Sequence, residues 1–208
     1  MNKIKVLSGV PRGVHLNLEH ATRSLEFCNF TYMCIKLPNG GLKIPENLKA
    51  VLMPVLANLQ HFTDVQADDY VYATVSRKHV QPFTHGNREG WHIDGFLSDD
   101  KSYIWCDTLP TEVAVGEFSL TPDHEVSLQE MKDQVVFSMP MQTGVLYELG
   151  DVVHAPTRNN TPDVVLRTFI KIVISKERFN GLGNAWNYKL PSFVPTNARS
   201  THRNHTVV

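Results

Sequence analysis

The sequence predicts a mainly β protein, a barrel or double sheet with a helix packed outside, and three observations lead there. From residue 70 onward, six short β-like runs (YVYATVS, GWHIDGF, YIWCDTL, VGEFSL, QTGVLYEL and DVVLRTFIKIVIS) are bounded by Gly, Pro, Asn and Asp. The last run has one face, set outward, that is too apolar for water and so requires a cover. Residues 46–60 form the one strongly striped helical segment, which is suited to supply that cover. With 208 residues, 42% of them hydrophobic, the chain suits one domain with a substantial core. That domain divides into an N-terminal support (1–69), a β core (70–175) and an irregular C-terminal arm (176–208).

Taken in order, FTYMCIKL at 30–37 reads as a strand and LPNGG at 37–41 as a turn. In the helix at 46–60, Leu48, Val51, Leu52, Val55, Leu56 and Leu59 share a face, and Pro54, off that stripe, is expected to kink rather than abolish it. Ser127 and Glu130 match a capping box, which predicts a short helix opening near Leu128. In the last run, strand alternation sets Val165, Arg167, Phe169, Lys171 and Val173 inward. Val164, Leu166, Thr168, Ile170, Ile172 and Ile174 then face outward, under the helix. The arm, rich in Asn, Gly and Pro, is expected to be anchored by Phe179, Trp186, Tyr188 and Phe193.

Composition narrows the function. A net charge of −1 gives no general reason to bind nucleic acid or an anionic membrane. No apolar stretch has the length of a signal peptide or a membrane span, so a soluble cytoplasmic protein is expected. Cys28, Cys34 and Cys106 lack metal-knuckle spacing and read as buried free thiols. Asn-x-Ser/Thr matches at Asn29, Asn159 and Asn204 carry no weight in such a protein. The arm sets Lys176, Arg178, Lys189, Arg199 and Arg203 against Glu177 alone, an excess of 5 − 1 = +4. A solvated tail explains this, and a contact with nucleic acid or an acidic protein is the alternative.

His92 and Asp94 carry the chemistry. On a strand, their i, i+2 spacing turns both side chains to one face, and two imidazoles with one carboxylate are the ligand set of a non-heme Fe(II) centre. Alone, a His-x-Asp is a weak signal in a chain with ten histidines. His154, at the end of GVLYELGDVVHAP, supplies the second imidazole; His85 and His124 lie in loop-like contexts and are the poorer candidates. Arg167 follows 13 residues later (167 − 154), and an inward guanidinium in an apolar strand needs an anion. Either an internal Asp or Glu or a bound carboxylate, gripped by the guanidinium fork, meets that need.

His92-x-Asp94, His154 and Arg167, in this order and context, resemble the signature of the Fe(II)/2-oxoglutarate-dependent oxygenases over residues 70–175. The resemblance implies a double-stranded β-helix (jelly roll, cupin-like) with the pair on its second core strand, His154 on its seventh and Arg167 on its eighth. It implies Fe(II), 2-oxoglutarate and O2, with succinate and CO2 released as a small-molecule or side-chain substrate is hydroxylated. Arg167 would hold the distal carboxylate of 2-oxoglutarate, and Tyr103 stands where a second donor is often found. Tyr72, Thr74 and Tyr147 are weaker donors. Phe169 departs from the family, some members of which carry Ser or Thr two residues after the arginine. Lys171 is expected to reach solvent at the strand end, Trp105 to fill the barrel interior, and residues 95–102 to form a loop of lid length. The alternatives are a cupin-like metal enzyme without 2-oxoglutarate, although no glutamate ligand follows Asp94, and a silent jelly-roll module.

Overall fold

β-Branched residues dominate the final run, and they form the strand on which the fold is assembled. The computed structural model describes residues 2–196. In chain order the elements are β1 (Ile4–Ser8), β2 (Gly13–His15), α1 (Glu19–Arg23), β3 (Cys28–Lys36), α2 (Lys49–Asn58), β4 (Tyr70–Val80), β5 (Lys101–Cys106), β6 (Thr111–Ala114), β7 (Gly116–Leu120), α3 (His124–Gln134), β8 (Ser138–Pro140), β9 (Val145–Glu148), β10 (His154–Pro156) and β11 (Val165–Ser175).

The larger sheet has the order β2-β9-β5-β11-β4-β3 and the smaller β10-β6-β8, every pairing antiparallel. From β4 onward the chain passes between these two sheets, an arrangement consistent with a jelly-roll type fold. Among the described residues the sheets do not close into a barrel. β7 leaves both sheets and pairs with β1, a partner its sequence does not announce.

Registration of β11 settles which residues face the helix. Ile170, Ile172 and Ile174 join Val71, Ala73 and Val75 of β4 and Tyr103 and Trp105 of β5. All pack against Leu48, Val51, Leu52, Val55 and Leu59. The expected cover is therefore present, with Leu56 partly buried beside it. Val164 and Leu166 lie beyond it and remain exposed. Pro54 sits inside α2, and 3-10 turns at Glu46–Leu48 and Leu59–His61 extend the segment at both ends.

Three local expectations change. The run at 90–96 forms no strand; only His92 makes a bridge, and Asp94 begins a turn. The helix expected near Leu128 opens at His124, because the Asp123 carboxylate accepts from the N–H groups of Glu125 and Val126. Ser127 is buried and donates to the His124 carbonyl instead. In the arm, Phe179 and Phe193 pack beside Tyr72 and Val173, whereas Trp186 and Tyr188 are exposed. Lys176 pairs with Asp68 and Asp69 and Lys189 with Glu46, so both bind the body of the protein. Arg199, Arg203 and Asn204 lie outside the described residues.

Cys28, Cys34 and Cys106 are free thiols, with Cys34 and Cys106 buried. Among the described residues no helix is long and apolar enough to cross a membrane.

Because Leu52 is fully buried between helix and sheet, Leu52→Ala is expected to cost about 2–5 kcal/mol in urea unfolding. Leu166→Ala, on the uncovered end of the same sheet face, should fall within about 0.5 kcal/mol of the parent.

Candidate metal centre

Two segments 62 residues apart (154 − 92) meet through their backbones. His92 N donates to the His154 carbonyl at 3.0 Å, and His154 N donates back to the His92 carbonyl at 2.9 Å. This bridge sets the imidazole rings side by side, with centroids 4.4 Å apart. Each ring is also fixed from behind. His92 Nδ1 stands 3.0 Å from the Gly90 carbonyl and His154 Nδ1 2.8 Å from the Val152 carbonyl. A carbonyl only accepts, so both Nδ1 atoms carry a proton, and Nε2 is the ring atom that each neutral imidazole would offer to a metal. Gly90 reaches its position with φ +99°, a conformation that side chains rarely adopt.

Asp94 completes the group. Its Oδ2 is 3.5 Å from His154 Nε2 and its Oδ1 is 3.9 Å from His92 Nε2. One donor atom from each of the three residues lies within 4.8 Å of the others. Adjacent ligands on an octahedral ion with bonds near 2.1 Å stand roughly 3 Å apart, so movements of under about 1 Å bring these atoms onto a metal.

The charge states suit a cation. Burial, then His154 and Lys171, push the His92 imidazole down to about 4, which leaves it neutral near pH 7. Burial alone would raise the Asp94 carboxyl; Lys171 and the two imidazoles outweigh it and hold Asp94 well below the usual carboxylate range. Lys171 Nζ lies 2.6 Å from Asp94 Oδ1. Burial would lower this ammonium, but Asp94 and Tyr32 outweigh it and raise it.

The trio opens into a cavity of about 340 Å³. Asn29, Thr74 and Ser76 form a polar wall from β3 and β4, while Ile104 and Phe169 form an apolar wall. Ser76 Oγ is buried without a partner. Gly95, Phe96 and Asp100, from the segment of lid length, also line it, as does His124. His85 does not belong to it and pairs with Glu89.

Arg167 is buried, and it stands just behind this cavity. Its Nε donates to the carbonyls of Thr108 and Leu109, each at 3.1 Å, and its Nη1 to Asn87 Oδ1 at 3.2 Å. Phe169 lies under the guanidinium, 4.9 Å from ring centroid to Cζ. Nη2 is buried with no partner. Among the described residues no Asp or Glu forms an ion pair with it. Only Asn87 and Phe169, not Arg167, reach the cavity wall. Gly86 permits the close approach, since a Cβ there would sit 3.0 Å from Nη1.

Several sequence expectations are corrected here. Tyr103 pairs with Ile172 and faces the helix, not the cavity; its hydroxyl donates to Glu148, so it cannot assist Arg167. Trp105 shares that outer face and donates to the Leu16 carbonyl. Lys171 does not reach solvent, because the strand runs on to Ser175 and the ammonium turns to Asp94. Tyr72 is tied to the arm through Glu177 and Phe179, and the Tyr147 hydroxyl accepts from Gln142 N. Asn87 had no signal in the sequence, since its loop is placed by long-range packing.

No protein-family model and no curated protein matches the chain. Several solved structures resemble it distantly. The crystal structure of EvdMO1 aligns with 83% of this chain at 12% identity and a TM-score of 0.43; the chain spans about half of it, 47%. EvdO2 from Micromonospora carbonacea var. aurantiaca, complexed with 2-oxoglutarate, aligns over 80% of this chain and 67% of its own at 12% identity and a TM-score of 0.34. The nickel complex of the non-heme monooxygenase ThoJ aligns over 74% and 64% at 14% identity and a TM-score of 0.31. The functional reading therefore rests on this chain's own residues.

Replacing Asp94 with Ala is expected to weaken Mn(II) binding at least about 100-fold, measured by isothermal titration. Tyr103→Phe, on the opposite face, should leave it unchanged.

Proposed function

We propose that the protein is a non-heme Fe(II)- and 2-oxoglutarate-dependent oxygenase that hydroxylates a small-molecule or side-chain substrate. One observation carries this reading. Two imidazoles held through Nδ1 and a carboxylate converge at a cavity, with an unpartnered buried guanidinium nitrogen behind its wall. The donor set suits Fe(II) and leaves coordination positions open. The orphaned Nη2 suits the distal carboxylate of the cosubstrate, since leaving a charged donor unsatisfied costs more than the about 1–3 kcal/mol of a neutral group.

Bound there, Fe(II), 2-oxoglutarate and O2 would supply oxidation of a C–H bond, with succinate and CO2 released. The chain's own work is positional. His92, His154 and Asp94 would hold the metal, and the Gly90 and Val152 carbonyls fix the two imidazoles. Arg167 would take the distal carboxylate once Asn87, whose amide oxygen now accepts from Nη1, gives way to it. Ile93, Phe96, Ile104 and Phe169 make part of the cavity apolar, which limits water, while Asn29, Thr74 and Ser76 offer hydrogen bonds to a substrate.

A second reading, a cupin-like metal enzyme that uses no 2-oxo acid, is favoured by the position of Arg167 outside the cavity wall. The two readings separate in a succinate assay run against a panel of candidate substrates. The oxygenase requires Fe(II), O2 and 2-oxoglutarate together, and Arg167→Ala should raise the KM for 2-oxoglutarate at least about tenfold with metal affinity retained. Asn87→Asp should act in the same direction by placing a permanent carboxylate on Arg167. Metal binding that 2-oxoglutarate leaves unaltered would support the second reading.

A further inference from the structure

The ion pair between Lys171 and Asp94 gives the centre an unusual charge. Two neutral imidazoles and one carboxylate would present a dication with a net charge of −1. The Lys171 ammonium, 2.6 Å from Asp94 Oδ1, cancels it. Both side chains are shielded, at 11% and 14% exposure, so solvent screens their charges only weakly. A divalent ion in this cage keeps its full charge of +2 in a partly desolvated cavity, which is costly unless an anion accompanies it.

Resting on the metal-centre reading above, we propose that Lys171 is a fixed counter-charge that couples the metal to an anionic chelator. It weakens binding of the bare cation and makes tight binding depend on a doubly charged anion at the same centre. Lys171 has two opposed effects, and their sizes decide the sign. By holding Oδ1 it orients Asp94, leaving Oδ2 beside His154 for the metal; outer supports of this kind are worth about 10–100-fold in metal affinity. The same ammonium would stand roughly 4–5 Å from a cation on Asp94, and at an effective dielectric near 20 that repulsion is worth several factors of ten. Repulsion exceeds support, so the lysine lowers affinity for the metal alone. A dianionic chelate reverses this, because it neutralises the ion and draws close to the ammonium. By thermodynamic linkage, metal and anion then strengthen each other equally. Arg167 stands apart from this ion pair: its Cα is four residues along the strand, roughly 13 Å from that of Lys171, and its guanidinium is engaged with Thr108, Leu109 and Asn87.

The experiment measures Mn(II) dissociation constants from the free-ion electron paramagnetic resonance signal, with and without oxalate, a chelating dianion too short to reach Arg167. The parent protein, Lys171→Gln and Lys171→Arg are compared. Glutamine keeps a donor to Oδ1 without the charge; arginine keeps the charge. Oxalate is expected to tighten Mn(II) at least about tenfold in the parent and in Lys171→Arg. Lys171→Gln should bind Mn(II) alone at least about tenfold more tightly than the parent, with the oxalate effect reduced by a similar factor. Equal or weaker Mn(II) binding by Lys171→Gln overturns the proposal and leaves the metal reading standing. Mn(II) binding by none of the proteins overturns both. If Lys171→Gln lacks a cooperative thermal transition, the parent decides alone, and an oxalate effect below tenfold overturns the proposal.

Discussion

Strand β11 is hydrogen-bonded on both sides, to β4 along its whole length and to β5 from Phe169 to Ile174. Its alternation serves two environments at once. Ile170, Ile172 and Ile174 complete the core beneath α2, while Arg167, Phe169 and Lys171 face inward. A slip of one residue would bury Arg167 and Lys171 among aliphatic side chains and turn the isoleucines into a polar cavity. Unpaired charges in such a core cost several kcal/mol each. The helix cover, the cavity wall and the placement of both cations therefore share one determinant, the register of this strand.

Within the cavity, backbone geometry does most of the positioning. The His92–His154 bridge joins the two segments, and the carbonyls of Gly90 and Val152 orient the rings through Nδ1. The charged groups then sort into two zones. Near the trio, Lys171 answers Asp94 directly. Farther along, Arg167 finds three carbonyl or amide oxygens, with Asp107 and the Cys106 thiol nearby but no ion-paired carboxylate, and retains one unsatisfied nitrogen. One zone pairs its charges; the other holds a cation without an ion-paired carboxylate.

Much of this was legible in the sequence, for reasons that differ by residue. The cover of β11 by residues 46–60 followed from two periodicities that had to find each other, 3.6 in one segment and 2 in the other. The association of His92, Asp94 and His154 followed from donor chemistry and spacing, although His92 lies on a single bridge and Asp94 on a turn rather than on the strand expected. Both side chains still reach one cavity, which Ile93 between them also lines, so the bridge at His92 and the turn from Asp94 place them rather than strand alternation. Tyr103 was misplaced by one residue of parity: Ile104 faces the cavity and Tyr103 the helix, a distinction that requires the pairing of β5 with β11. Lys171 was on the correct face, but the sequence does not reveal that its strand stays covered to the end. Asn87 and the Asp123 cap depend on loop placement and on competition between two adjacent capping signals, which local pattern does not resolve.

The proposed chemistry depends on a metal ion held by His92, Asp94 and His154. Anomalous diffraction from crystals soaked in Mn(II) together with oxalate decides whether it is there. A single strong peak about 2.1 Å from His92 Nε2, His154 Nε2 and one Asp94 carboxylate oxygen is the predicted result. An anomalous map with no peak among these three atoms, with Lys171 still seated on Asp94, would mean that the trio does not hold a metal.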